Sequence, residues 1–110
     1  VTRPERPRAW ARPSEAPPGS GTATQVDLMR RLVAGQISGP RFAVDWFEAR
    51  RQVLNDGERT REPFERVLLD VFYLLEDDYV IPVGLRGPGD LTDEQLTTKI
   101  RAALARLDAL

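Results

Sequence analysis

The sequence predicts an all-α fold, a small antiparallel four-helix bundle behind a disordered N-terminal arm, and three observations predict it. Apolar residues recur at helical spacing in four separate stretches. Helix-capping and helix-breaking residues fall between those stretches. No stretch alternates apolar and polar residues for long enough to argue a strand, Tyr79-Val80-Ile81 being the nearest candidate. With 110 residues the chain has material for one compact domain and a tail. It divides at a shift in composition, residues 1–23 forming the arm and 24–110 the folded domain.

The arm is rich in Pro, Arg, Ala, Ser and Gly, with Trp10 as its one aromatic residue, too little apolar surface to offset chain entropy. From Thr24 a first helix carries Val26, Met29, Val33 and Ile37 on one stripe, with Leu28 and Leu32 beside it. Gly35 and Gly39 bracket its end. Ser38 then offers an N-cap oxygen and Pro40 suits a first helical turn, predicting a second helix from about Pro40 to Asn55. Its inner face holds Phe42, Trp46, Ala49 and Val53, broadened by Ala43, Phe47 and Leu54. Asn55-Asp56-Gly57 breaks that helix, and Pro63 restarts the chain into the strongest pattern, Phe64, Val67, Leu68, Val71, Phe72 and Leu75. Leu69, Tyr73 and Leu74 make this third helix apolar around most of its circumference, so it is expected to be the most buried element. A Gly- and Pro-rich loop follows Tyr79. Thr92-Asp93-Glu94-Gln95 then forms a capping box that opens a fourth helix with Leu96, Ile100, Ala103, Leu104 and Leu107 facing inward. Four amphipathic helices with short connections imply the antiparallel bundle.

Composition removes most of the common catalytic devices. The chain has no Cys and no His, which excludes disulfides, a thiol nucleophile, imidazole acid–base chemistry and zinc ligation of the usual kinds. Carboxylates remain as metal ligands, but the acidic residues around 78–90 lack the alternating spacing of a calcium loop, and a di-iron bundle needs Glu-x-x-His pairs. No metal site and no cofactor is expected. Paired carboxylates could hydrolyse a glycoside only within a cleft, which a domain spending its apolar side chains on its own core seldom has. A non-enzymatic protein is expected.

Sixteen basic and seventeen acidic side chains leave a net charge of −1, with no global drive toward nucleic acid or an anionic membrane. The charge is nonetheless segregated. Arg3, Arg6, Arg8 and Arg12 outnumber Glu5 and Glu15 in the arm, while residues 70–94 hold Asp70, Glu76, Asp77, Asp78, Asp90, Asp93 and Glu94 against Arg86 alone. Asp93 and Glu94 suit a first helical turn, where acids meet the positive end of the macrodipole. Glu76, Asp77 and Asp78 fall where the third helix should end, near its negative pole, each disfavoured by up to about 1 kcal/mol and repelling its neighbours. A basic partner would account for keeping them.

Three blocks in this order resemble a known family. Leu32-Val33-Ala34-Gly35-Gln36-Ile37-Ser38, followed by Phe42 and Trp46-Phe47, is similar to its small-residue turn and following apolar helix. Leu68 to Tyr79, running into Glu76-Asp77-Asp78-Tyr79, is similar to its acidic and tyrosine-bearing end of the third helix. Asp90-Leu91-Thr92-Asp93-Glu94-Gln95-Leu96, with Ile100 and Leu104, is similar to the acidic start of its last helix. The family is that of the bacterial self-protective colicin-like immunity proteins, typified by the colicin D immunity protein. The resemblance covers residues 26–107; residues 1–24 have no counterpart, and the loop Pro82–Gly89 is richer in Gly and Pro than the family pattern.

The resemblance implies a toxin inhibitor that binds a cognate nuclease domain, typically one that cleaves tRNA, and covers its basic active site with carboxylates. By that analogy Glu76, Asp77 and Asp78 are the central contacts, Asp90, Asp93 and Glu94 flank them, and Tyr79 is an aromatic anchor. Two other readings stand beside it. One is a helical regulator or adaptor that binds nucleic acid through the arginines of the arm, with Trp10 stacking on a base. The weaker one is a metal-dependent hydrolase built on carboxylates. With no apolar leader in residues 1–24 and no apolar run long enough to span a bilayer, a cytoplasmic location without membrane contact is expected. Fifteen Arg to one Lys fits the codon bias of a GC-rich bacterial genome.

Overall fold

The computed structural model describes residues 9–110, and within them the chain is mostly helical, with four helices and one short parallel strand pair. In chain order these are β1 (Ala9–Trp10), α1 (Gly21–Val33), α2 (Gly39–Asn55), β2 (Arg59–Thr60), α3 (Phe64–Tyr73) and α4 (Asp93–Asp108). Helix α1 packs on α2 and α4, and α3 packs on α4. The core between them is built from Met29, Phe42, Trp46, Phe64, Val67, Leu96, Ile100 and Leu107.

Local signals explain where the helices begin and end. Ser38 caps α2 by accepting from the Arg41 amide, and Thr92 and Gln95 close a reciprocal capping box on α4. Helices α1 and α2 both terminate at a left-handed glycine, Gly35 at φ 74° and Gly57 at φ 66°. Beyond each, the next amide reaches back to the preceding turn, Gln36 N–H to Arg31 O at 2.9 Å and Glu58 N–H to Val53 O at 3.0 Å. That paired closure satisfies carbonyls the helix would otherwise leave bare.

The N-terminal segment corrects the expectation of an unstructured arm over residues 9–23; residues 1–8, with Arg3, Arg6 and Arg8, lie outside the described residues. Strand β1 runs parallel to β2, pairing Ala9 with Arg59 and Trp10 with Thr60, and Trp10 packs against the core. Helix α1 starts three residues before Thr24, at Gly21, because Ser20 accepts from Ala23 N–H and Glu58 takes over the remaining donors. The Glu58 carboxylate accepts from Gly21 N–H at 2.8 Å, Thr22 N–H at 2.9 Å and the Thr22 hydroxyl at 2.7 Å. Long-range docking of one aromatic ring and one carboxylate thus offsets the entropy that the composition of this segment could not. Glu58→Ala should therefore lower stability by about 1–3 kcal/mol, the cost of leaving buried donors unpaired, read as a shift of the urea midpoint.

Two further expectations change. The strands form at residues 9–10 and 59–60, whereas Tyr79-Val80-Ile81 is irregular. Helix α3 is not the most buried element: Tyr73 is 55% exposed, and Phe72 is only partly buried, beneath the Arg50 guanidinium at 4.1 Å from its ring centre. Tyr73 stands on the face of α3 opposite Phe64, Val67, Leu68 and Val71, so its ring gains nothing from the core.

Candidate functional site

At the end of α3 the chain widens into one π-helical turn, Leu74–Asp78, before turning extended at Tyr79. Leu75 and Tyr79 are buried on either side of the turn, at 3% and 4% exposure, while Glu76, Asp77 and Asp78 between them face solvent. The carboxylates stand at the carbonyl end of the helix, where the macrodipole opposes them. Among the described residues none of the three side chains makes an ion pair or a hydrogen bond. Asp27, Asp45, Asp70, Asp93 and Asp108 are all paired with arginines.

The loop that follows is fastened at its base. Asp78 O accepts from Leu91 N–H at 2.8 Å, joining the two ends of the loop. Inside, Arg86 donates through Nε to Val80 O at 2.6 Å and through Nη2 to Asp93 Oδ1 at 2.9 Å, with its guanidinium 4.7 Å from the Tyr79 ring centre. The Tyr79 hydroxyl donates to the same Asp93 oxygen at 2.7 Å. Gly39, the first residue of α2, completes the junction: a Cβ there would lie 2.6 Å from the Tyr79 hydroxyl and 2.9 Å from Asp93 Oδ1. This cluster locks the start of α2, the end of α3, the loop and the start of α4 together, bringing Glu94 to the same end of the molecule as Glu76, Asp77 and Asp78.

The environment shifts two of these groups. Hydrogen bonding from Tyr79, reinforced by Arg86, holds the Asp93 carboxyl below the usual carboxylate range against the opposing cost of burial. Burial, with the Asp93 carboxylate next in weight, pushes the Tyr79 hydroxyl up to about 12. A depressed carboxyl supports the fold above the unfolded-chain value near pH 4 and loses that support as pH falls through its folded value; a raised phenol supports it below about pH 10 and loses that support on the way to 12. Asp93→Asn should accordingly flatten the acid limb of the stability–pH curve, and Tyr79→Phe the alkaline limb, each followed by thermal melts across pH.

The expected site residues thus divide. Glu76, Asp77, Asp78 and Glu94 are exposed. Asp90 is partly buried and accepts from Gly87 N–H at 2.6 Å, shaping the loop. Asp93 is engaged by Tyr79 and Arg86, though its side chain keeps 48% exposure. Tyr79 corrects the expectation of an aromatic anchor, because a ring this buried is part of the core. Sequence reasoning overlooked the loop tip, where Val83 and Leu85 are 66% and 74% exposed. Two apolar residues within Pro82-Val83-Gly84-Leu85, a stretch too short and too Gly-rich to build a core, were the signal.

Among the described residues no group of three or more acids is placed to hold a metal ion, and no helix is long and apolar enough to cross a membrane. No family model, curated protein or solved structure matches the chain.

Proposed function

We propose that this protein is a non-enzymatic immunity protein of the colicin-like kind, which inhibits a cognate bacterial toxin by laying its acidic end over the toxin's basic active site. We read the helices as an antiparallel bundle that presents this end, the toxin as a tRNA-cleaving nuclease domain, and the setting as cytoplasmic. One observation carries the reading: Glu76, Asp77 and Asp78 are exposed and, among the described residues, unpaired at a helix terminus that disfavours them, on a base fastened by Tyr79, Arg86 and Asp93.

A nuclease cleft must be basic to hold RNA phosphates, so opposite potentials would speed encounter and fix the docking register. Val83 and Leu85 supply the apolar contact that Tyr79, being buried, does not. The nucleic-acid reading has less support, since Trp10 is partly buried against the core and leaves less of its ring for stacking on a base. The test is to express the products of the neighbouring genes and to titrate any toxin-like domain among them calorimetrically with the protein, at low and high salt. Tight binding that weakens with salt supports the proposal; no binding at micromolar concentration overturns it.

A further inference from the structure

Helices α2 and α3 share an outward side that the core leaves uncovered. Three of the five large apolar side chains that stand exposed among the described residues belong to it, Val44 and Leu54 from α2 and Tyr73 from α3; the other two are Val83 and Leu85 of the loop tip. Leu54 follows Phe47 by seven residues and Val44 precedes it by three, which sets all three along one side of α2. Partly buried rings tie that side to α3: Phe47 meets Phe72 edge-on with ring centres 6.0 Å apart, and Phe72 meets Tyr73 at 5.4 Å. Further along, Leu54 and Leu69 line the same cavity. The apolar residues thus form one continuous patch, and such a patch within a polar rim marks a contact surface.

The charges of the two helices indicate what covers it. Glu48, Arg50 and Arg51 on α2 carry a net positive charge, while Glu62, Glu65 and Arg66 at the start of α3 carry a net negative one, to which Glu76 adds beyond Tyr73. Among the described residues none of these side chains is in an ion pair. A partner of one sign, such as a basic nuclease cleft or a nucleic acid, would meet like charge from one helix or the other. A second copy of the chain avoids this. A two-fold axis through the patch lays α2 of each copy over α3 of the other, so that positive faces negative twice. From Val44 to Leu54 the patch is about 15 Å long and it is two helices wide, less than the roughly 800 Å² per partner of a standard interface, so the pairing is expected to be weak.

We propose that the chain pairs with a second copy of itself through this side, in a weak two-fold dimer that packs Val44, Phe47 and Leu54 of each copy on Leu69, Phe72 and Tyr73 of the other. The pairing stands or falls separately from toxin binding, because it is read on the chain alone. Sedimentation equilibrium of the full chain from about 10 μM to about 1 mM should show the mass rising from one chain toward two and no further, with a Kd of about 50–500 μM. Tyr73→Lys and Leu54→Lys, both at exposed positions, should each weaken pairing at least about tenfold and move the melting temperature by no more than about 3 °C. Leu85→Lys, at the loop tip, should leave pairing unchanged. In a mixture of ¹³C-labelled and unlabelled chains, isotope-filtered NOEs should join the Leu54 methyls of one copy to an aromatic ring on α3 of the other. A single-chain mass at every concentration overturns the proposal. So do assemblies larger than two, pairing undiminished in both patch variants, or pairing lost in Leu85→Lys.

Discussion

Trp46→Ala should cost about 3–5 kcal/mol, a third or more of the stability of a typical domain, while Trp46→Phe should cost only about 1 kcal/mol. Trp46 is fully buried and is the largest side chain in the core, packed edge-on against Phe47 with ring centres 6.3 Å apart. Phe47 in turn meets Phe72 edge-on at 6.0 Å, so emptying the position removes support from a row of rings that joins α2 to α3. The indole Nε1, however, is buried without a hydrogen-bond partner among the described residues. Phenylalanine loses part of the apolar area but also removes that unpaired donor, and the two effects oppose each other. Urea unfolding of both variants checks the difference. Equal costs would mean that the indole N–H has an acceptor.

The second large effect concerns binding. Replacing Glu76, Asp77 and Asp78 by Gln, Asn and Asn should leave the isolated protein as stable as before or slightly more so, by relieving mutual repulsion and the unfavourable helix terminus. Among the described residues none of the three side chains holds a partner that the fold would miss. The same change should abolish toxin binding, because removing one member of a buried, hydrogen-bonded charge pair costs about 2–5 kcal/mol and three are removed together. Denaturant midpoint and affinity measured on the same variant separate the alternatives. A loss of stability with affinity intact would assign these carboxylates to folding.

The features legible in the sequence are those whose physics is local. Ser38 with Pro40, the Thr92–Gln95 box, and the glycines after α1 and α2 act within a few residues, and each helix boundary they mark lies close to its expected place. The N-terminal segment was illegible for the opposite reason. Its order depends on Trp10 meeting β2 and on Glu58 reaching Gly21 and Thr22, partners more than thirty residues away whose types carry no sign of the pairing. At the candidate site, the charge of Glu76, Asp77 and Asp78 was plain from composition, but the burial of Tyr79 immediately after them was not. Tyr79, four residues after Leu75 and with extended backbone, turns inward beside it with the three acids between them. Arg86 read as a stray counter-charge in the acidic stretch; in the fold it meets Tyr79, Val80 and Asp93 at once.

The central claim is that the acidic end blocks a nuclease, and an inhibition titration tests it most directly. A toxin-like nuclease domain, sought among the products of the neighbouring genes, is held at fixed concentration with an RNA substrate while the protein is added, in parallel with the Glu76, Asp77 and Asp78 neutralised variant. The account predicts that cleavage falls to zero at one equivalent of the parent protein and continues unchecked with the variant. Cleavage that persists at excess parent protein, or inhibition that is equal for parent and variant, would contradict it.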